Sequence, residues 1–269
     1  MQLGAANAGI VKNMYTPMAA AYDELWAPLL RPFGLKLLDR LDVSEPARVL
    51  DLGCGVGSLL PDIERRFPGA TVLGADLTEG MLRMAPGRFG LLAMDCTRPA
   101  LADASVGAIV SAFMLFHVPD PAAALRCMHS ILAPGGTVGI AVWGSNRDEP
   151  AIDVWNEELD SAGAGPDPAS AGQPDGDDQV KAPDKLAGLL AGAGFQHVSA
   201  ELDGWEQRWT PEAFMEWRTR MSVSTRRLST LDPAARKACI EAVRERVIAL
   251  PADQLVGGYE VVLATAKRV

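Results

Sequence analysis

The stretch Val49–Gly57, VLDLGCGVG, decides the fold, because it joins an apolar strand to a glycine-rich turn. Apolar residues that lead into an acidic residue and alternating glycines are typical of a parallel strand ending at a ligand-binding loop. Gly53, Gly55 and Gly57 form the pattern GxGxG, whereas a dinucleotide-binding loop has the form GxGxxG and Ser58 occupies the place of its third glycine. The stretch therefore predicts a strand–loop–helix unit that fits a dinucleotide poorly.

The composition of the whole chain narrows the class of protein. It has 269 residues, of which 48% are hydrophobic, so one large α/β core with an appended cap is expected. The net charge of −9 opposes the phosphate backbone of nucleic acids, and we expect none as a partner.

Two further features of the composition concern compartment and metals. The four cysteines are scattered without a CxxC pair, which predicts neither a disulfide framework nor a metal site. No apolar run approaches the ~18–20 residues that span a bilayer, so we expect no membrane span and a cytoplasmic location.

Short apolar runs alternate with amphipathic stretches from Pro46 to Gly144, which is typical of βαβ units and a parallel sheet. The predicted strands are Arg48–Leu52, Thr71–Ala75, Gly90–Met94, Val106–Ala112, Thr137–Trp143, His197–Leu202 and Tyr259–Ala266. The predicted helices are Ala19–Trp26, Phe33–Leu41, Glu79–Met84, Pro121–Leu132, Pro183–Ala193, Pro211–Leu228 and Pro233–Ala249, with Pro28 and Pro32 between the first two. Ser161–Asp178, rich in Gly, Pro and Asp, is predicted to be a poorly ordered loop.

These elements suggest a division of the chain. Residues 1–45 are predicted to form an N-terminal helical lid, and residues 46–269 a Rossmann-like core. Two cap insertions are expected, at about residues 145–182 and 205–255.

Acidic residues stand at the ends of three successive predicted strands, and they indicate the charge of the ligand. A pyrophosphate ~4 Å from the carboxylate of Asp51 would be repelled by about 1–4 kcal/mol, whereas a cation would be attracted. S-adenosylmethionine (SAM) carries an ammonium and a sulfonium, and its carboxylate can accept backbone N–H groups. Asp76 can accept ribose hydroxyls, Asp95 can accept from the adenine amine, and Leu77 and Met81 can cover the ring. Helix capping for Asp51 and local turns for Asp76 and Asp95 remain open.

Five motifs in order, VLDLGCGVG, GADLTEGML, AMDCTRPA, SAFMLFHVPD and LAPGGTVGIAVWG, resemble those of class I SAM-dependent methyltransferases. They are most similar to the ubiquinone/menaquinone-biosynthesis-like group and to small-molecule methyltransferases of bacterial secondary metabolism, over about residues 46–145. The resemblance implies a seven-stranded sheet in the order 3-2-1-4-5-7-6 with strand 7 antiparallel. It implies SAM as cofactor and S-adenosylhomocysteine as product. The expected cofactor-binding residues are Asp51, Gly53, Cys54, Gly55, Gly57, Asp76, Leu77, Met81, Asp95, Cys96 and Ser111.

Candidate catalytic and substrate-binding residues lie at the same edge of the predicted sheet and in the cap. His117 follows the fourth strand and is a candidate general base, although a purely structural role is open. Tyr22 resembles the N-terminal tyrosine that closes over cofactor or substrate in such enzymes, and helix packing is the alternative. An apolar substrate pocket is expected around Phe113, Trp143, Trp209 and Trp217, although the tryptophans of the cap could simply pack its helices.

The predicted function is methyl transfer from SAM to a small, largely apolar or aromatic metabolite, natural-product-like or quinone-like. The acceptor atom, O, N or C, is open, as is the choice between monomer and homodimer. One alternative is a SAM-binding protein without methyl transfer, either a pericyclic cyclase or a binding module. A nicotinamide-dependent oxidoreductase fits less well, because Tyr15, Tyr22 and Tyr259 provide no Tyr-x-x-x-Lys pair.

Overall fold

The computed structural model describes residues 2–146, 149–167, 176–221 and 223–269. Within these ranges one sheet of seven strands has the order β3-β2-β1-β4-β5-β7-β6. The strands are β1 (Arg48–Leu52), β2 (Thr71–Asp76), β3 (Gly90–Ala93), β4 (Val106–Ala112), β5 (Leu132–Asn146), β6 (Gln196–Arg208) and β7 (Val256–Lys267).

Strand direction follows the predicted pattern. The pairs β1–β2, β1–β4, β2–β3 and β4–β5 are parallel. At the start of β5, the Gly135 N–H donates to the Arg268 carbonyl (2.7 Å), directly beyond the end of β7. The Trp209 N–H, after β6, donates to the Leu255 carbonyl (2.8 Å), before β7. Strand β7 is therefore antiparallel to both neighbours, and the predicted fold class and strand order are confirmed.

The described α-helices are α1 (Gln2–Tyr15), α2 (Ala19–Ala21), α3 (Ala27–Arg40), α4 (Leu60–Arg66), α5 (Glu79–Leu82), α6 (Pro121–Ile131), α7 (Pro150–Ser161), α8 (Gly176–Val180), α9 (Pro183–Gly192), α10 (Pro211–Arg220), α11 (Val223–Leu228) and α12 (Pro233–Ile248). Short 3₁₀ turns cover Thr16–Met18, Leu115–His117 and Ala252–Gln254, and one π-helical turn covers Tyr22–Trp26. None of these described helices has the length and apolar character that a bilayer crossing requires.

Strand β1 lies at the centre of the sheet, and its sequence explains that position. Four of its five residues are buried, as expected for a parallel strand covered on both faces. One face packs into a core built from β1, β4 and β5 together with α6 and α9. On the other face of the sheet, α3 packs closely. A Cβ atom on Gly139 of β5 would lie 2.9 Å from Leu41 and 3.0 Å from Leu37, so this strand has no room for a side chain there.

The prediction of two N-terminal helices separated by Pro28 and Pro32 is wrong. Helix α3 contains both prolines. Pro28 lies in the first turn, where its missing N–H has no intrahelical partner to lose. Pro32 lies inside the helix, and its cost of about 3 kcal/mol is opposed by the complete burial of apolar side chains such as Phe33 and Leu37.

Other boundaries also differ from the sequence pattern. The predicted helix Pro211–Leu228 is divided at Met221 into α10 and α11, and helices α1, α7 and α8 had no predicted counterpart, whereas α4 is the helix expected after the glycine turn. Strands β5, β6 and β7 extend beyond their predicted ends. Within the predicted loop Ser161–Asp178, residues 168–175 lie outside the described residues, Ser161 ends α7 and residues 176–178 belong to α8.

The chain divides into two compact units. The first comprises Met1–Ser145, Pro174–Asp203 and Val261–Val269, and the second comprises Asn146–Gln173 and Gly204–Glu260. The second unit has its own core, in which Trp155, Phe214 and Val243 are fully buried.

A buried ion pair fixes α3 against α4, the helix that follows the glycine turn. The Asp62 side chain is 2% exposed and accepts two hydrogen bonds from Arg31 (2.7 and 2.6 Å) and one from Arg65. Asp62→Asn should lower the free energy of unfolding by about 1–3 kcal/mol, below the usual cost of breaking a buried pair because Arg31 can rehydrate. Urea unfolding measures this change.

The matched control is Glu64→Gln, in the same helix. Glu64 pairs with Arg88 on the surface, where an ion pair contributes little. We expect a change below about 0.5 kcal/mol for this control. Equal effects of the two substitutions would contradict the assignment of Asp62 as a structural anchor.

Candidate active site

The turn after β1 requires its glycines. Gly53, Gly55 and Gly57 have φ angles of 82°, 54° and 72°, in the left-handed region that favours glycine. A Cβ atom on Gly53 would lie 2.4 Å from the Cβ of Met114. The N–H groups of Gly53 and its neighbour Cys54 both donate to a carbonyl of β2 (2.7 and 3.0 Å), which ties the turn to that strand.

Two buried carboxyl groups stand at the ends of β1 and β2. Asp51 is 3% exposed, and burial, followed by the charge of Asp76, raises its pKa to about 7. Burial also raises the pKa of Asp76, opposed by hydrogen bonds from the N–H groups of Thr78 (2.7 Å) and Gly55 (2.9 Å). Among the described residues, the groups that donate to Asp76 are neutral, and the charge that raises the pKa of Asp51 is the like charge of Asp76. The pair therefore attracts a cation.

The third predicted acid makes a local turn and keeps one oxygen for a ligand. Oδ1 of Asp95 accepts from the N–H (2.8 Å) and the hydroxyl (2.7 Å) of Thr97. Among the described residues, Oδ2 of Asp95 has no hydrogen-bond donor. The turn role and the ligand role that the sequence left open are thus compatible.

The predicted cysteines have inert thiols. Burial, followed by the charge of Asp95, raises the pKa of Cys96 to about 12. Burial also raises the pKa of Cys54 far above its ordinary value, and its thiol contacts the Gly55 carbonyl. Both residues therefore offer backbone groups and packing rather than a thiolate.

A cavity of about 130 Å³ opens at these strand ends. Apolar side chains such as Val11, Leu52 and Met94 make up much of its wall. The structure brings many of the predicted site residues to it, namely Tyr22, Gly53, Gly55, Asp76, Leu77, Met81, Asp95, Cys96, Phe113 and His117.

Other predicted residues lie beside this cavity. A smaller cavity of about 40 Å³ is lined by Asp51 and Cys54, and Tyr22, Gly53 and Phe113 line both cavities. Gly57, Ser111 and Trp143 are absent from the described lining of either. Gly57 completes the turn, Ser111 is fully buried, and the Trp143 ring packs 4.6 Å from Phe113 and 5.7 Å from Trp26.

An aromatic cluster on the cavity wall includes one residue that the sequence interpretation missed. The Tyr15 hydroxyl lies 2.9 Å from Nε2 of His117, and its ring meets the Tyr22 ring edge-on at 5.9 Å. Burial, then Tyr15 and the two acids, raise the pKa of Tyr22, so its hydroxyl stays protonated. The spacing of seven residues between Tyr15 and Tyr22, about two helical turns, was the available signal.

The two predicted pocket tryptophans of the cap belong to the second unit. The rings of Trp209 and Trp217 stack at 5.0 Å with an angle of 19° between them. The Trp209 indole donates to Oε1 of Glu149 (3.0 Å), and the Arg218 guanidinium lies 5.1 Å above the Trp217 ring. Their assignment to the substrate pocket stays a prediction.

The residues of the cavity fit SAM. A Cβ atom on Gly55 would contact Met81 (3.4 Å) and Tyr22 (3.9 Å) at ordinary distances, so glycine is favoured there by its left-handed φ of 54°. The acids at the strand ends suit a cationic adenosine derivative with ribose hydroxyls and an exocyclic amine. A doubly anionic dinucleotide would be repelled by each of these two carboxyl groups in its ionised form.

Comparison with known proteins identifies methyltransferases as relatives of this chain. A protein-family model described as "Methyltransferase domain" matches residues 50–140. A trans-aconitate 2-methyltransferase of Methylobacterium radiotolerans is 31% identical over 223 residues, which cover 77% of this chain and 80% of that protein. Another, of Variovorax paradoxus, is 38% identical over 120 residues, 43% of this chain and 45% of that protein, so this match spans less than half of the relative.

Among solved structures, phosphoethanolamine N-methyltransferase 2 of Haemonchus contortus, in complex with phosphomonomethylethanolamine and S-adenosylhomocysteine, has a TM-score of 0.58. It is 17% identical, and the likeness covers 97% of this chain and 59% of that one, which supports the fold alone. The family model and the Methylobacterium relative support the family as well as the fold. The strand order, the glycine turn and the row of acids agree with that family. This chain therefore belongs to the class I SAM-dependent methyltransferases.

Proposed function

We propose that this protein transfers the methyl group of SAM to a small, largely apolar or aromatic metabolite. One observation carries the proposal: a single cavity combines acids at strand ends with apolar and aromatic side chains. The acids suit a cationic cofactor, and the remaining wall suits a ring-bearing acceptor.

The chain's own residues divide the work of binding. Asp76 would accept the ribose hydroxyls, Oδ2 of Asp95 would accept the adenine amine, and Leu77 and Met81 would cover the ring. When bound, SAM would supply a methyl group attached to a positively charged sulfur. The nucleophile attacks the methyl carbon in line with the sulfur, which is the leaving group. Apolar residues such as Phe113 and Met114 would exclude water and hold the acceptor near the attack distance.

The charges of the cavity favour a neutral acceptor. Asp76 and Asp95 line it, and no lysine or arginine does so among the described residues. Each negative charge of an acceptor would meet repulsion of about 1–4 kcal/mol at ~4 Å, without a compensating cation on the wall. Two relatives are named for trans-aconitate, an anionic acid. We propose that this chain uses a different class of acceptor.

A panel of acceptors tests the proposed function. The protein is incubated with SAM and either uncharged phenols, enols and aromatic amines or trans-aconitate, and S-adenosylhomocysteine is quantified by mass spectrometry. We expect its formation with uncharged ring compounds and background amounts with trans-aconitate. Methylation of trans-aconitate alone would overturn the acceptor class, and SAM binding without transfer to any compound would favour the non-methylating alternative.

Asp76→Asn should weaken SAM binding by about 2 kcal/mol or more, roughly 30-fold, because a charge-assisted acceptor is lost. Isothermal titration calorimetry measures the change. Asp103→Asn is the matched control, since Asp103 is an exposed acid ahead of β4, and its SAM affinity should equal that of the wild type. Unchanged affinity in Asp76→Asn would contradict the cofactor role.

The affinity for SAM should fall as the pH drops below about 7. Burial, then Asp76, place the pKa of Asp51 there, and only the ionised form attracts the cation. The loss should approach, at most, about tenfold per pH unit. In Asp51→Asn the affinity should be lower at pH 8 and the pH dependence flatter, as measured by calorimetry across this range.

Ligand-free stability should change in the opposite direction. The unfolded chain loses the Asp51 proton near its ordinary pKa of 3.8, whereas the folded chain keeps it to about 7. Stability therefore falls as the pH rises between these values, and the cost is complete above them. At pH 8, Asp51→Asn should raise the thermal midpoint of the ligand-free protein. A lower midpoint together with unchanged SAM affinity would refute the proposed role of Asp51.

A further inference from the structure

We propose that the acceptor is a weakly acidic hydroxyl, a phenol or an enol, and that Tyr15 and His117 take its proton as a relay. This inference rests on the proposed methyl transfer, and it names the acceptor atom and a residue that the family match does not cover.

The contact between the two side chains is built by the fold. Tyr15 ends α1, and His117 ends the 3₁₀ turn after β4, 102 residues further along the chain. Their polar atoms are 2.9 Å apart, within hydrogen-bond range, and both residues line the cavity. The Tyr15 ring packs against the Tyr22 ring (5.9 Å), and the His117 ring lies 4.2 Å from that of its neighbour Phe116.

We assign His117 the tautomer protonated at Nδ1, in which Nε2 accepts the hydrogen bond from the Tyr15 hydroxyl. With the Tyr15 hydroxyl donating to Nε2 of His117, an acceptor reaches this base through Oη of Tyr15. A hydroxyl is both donor and acceptor, so Tyr15 can receive one proton while it releases another.

The step balances in atoms and charge. The acceptor oxygen forms a bond to the methyl carbon, and the carbon–sulfur bond breaks with its electron pair left on sulfur. The acceptor proton passes to Oη of Tyr15 as the Tyr15 proton passes to Nε2 of His117. Tyr15 ends neutral, and the His117 imidazolium later returns its proton to solvent.

Of the other titratable groups of the cavity, Asp95 is assigned to the adenine amine, and Asp76, Cys96 and Tyr22 are poorly suited to this task. The Asp76 carboxylate accepts two backbone N–H groups, the pKa of Cys96 is raised to about 12, and that of Tyr22 is raised further. The neutral imidazole of His117 can accept a proton at one ring nitrogen while the other keeps its own, and a positioned general base contributes ~10²–10⁴-fold.

A chromogenic phenol tests the relay without turnover. The protein is saturated with S-adenosylhomocysteine and titrated with 4-nitrophenol at the pH where the free phenol is half ionised, and the nitrophenolate band is recorded. Wild type should bind the phenolate, so the absorbance of the bound fraction rises by up to about twofold. Tyr15→Phe and His117→Asn should lower it instead, because an apolar cavity lined by acids favours the neutral phenol.

Matched variants outside the cavity control for loss of a tyrosine or a histidine. Tyr259→Phe, in the second unit, and His197→Asn, on an exposed position, should reproduce the wild-type rise. A rise retained in Tyr15→Phe and lost in His117→Asn would overturn the relay in favour of direct proton transfer to the imidazole. A fall in the wild type, or no binding of the phenol, would overturn the proposal as a whole.

Calorimetry with S-adenosylhomocysteine separates this inference from the function on which it rests. Tight binding in every variant, with no ionisation of the phenol in the wild type, would remove this inference and leave the proposed methyl transfer standing. Failure of the wild type to bind S-adenosylhomocysteine would remove the proposed function itself. Where a phenol is methylated, the loss of kcat in Tyr15→Phe should grow as the acceptor becomes less acidic, whereas a purely structural defect would slow all phenols equally.

Discussion

The burial of two carboxyl groups side by side is the constraint on which the site depends. Parallel pairing aligns Leu52 with Ala75, so the acid before the end of β1 and the acid at the end of β2 share one buried corner. Burial raises the pKa of both Asp51 and Asp76, which opposes folding while no cation is present. The fully buried apolar core beneath the strands offsets that cost. The sheet thus stores an electrostatic imbalance that a cationic cofactor relieves.

The glycine turn makes this imbalance usable. Its first N–H groups are tied to the Ala75 carbonyl of the neighbouring strand, and the Gly55 N–H donates to the Asp76 carboxylate. The glycine turn after β1 therefore orients the Asp76 carboxylate at the end of β2, so the turn and this acid form one binding site. Any side chain at Gly53 would collide with Met114, so the close approach of these segments depends on a glycine there as well as on the left-handed φ angle.

The sequence predicts best what burial and charge dictate locally. Apolar runs ending in acids located the parallel strands and the cofactor end of the cavity, whereas the strand order came from the resemblance to class I methyltransferases. Pro32 led to the wrong prediction of a helix break, because the burial of the apolar side chains of α3 outweighed the local cost of a proline inside a helix. The contact between Tyr15 and His117 could not be predicted, since it joins segments 102 residues apart and no periodicity records which turn of α1 meets the end of β4. The sequence pattern identified Tyr22 and Phe113 as candidates, but it did not show which side chains each would contact.

The two ends of the cavity come from different parts of the chain, and this has a consequence for specificity. The family match, residues 50–140, contains the glycine turn and the acids but ends short of α1. Tyr15 and Tyr22 lie outside it, although they line the same cavity. The cofactor end is constrained by strand register and buried charge, whereas the N-terminal segment can change its side chains without disturbing the sheet. Relatives can therefore keep one cofactor and differ in acceptor, so the acceptor must be inferred from this chain's own wall.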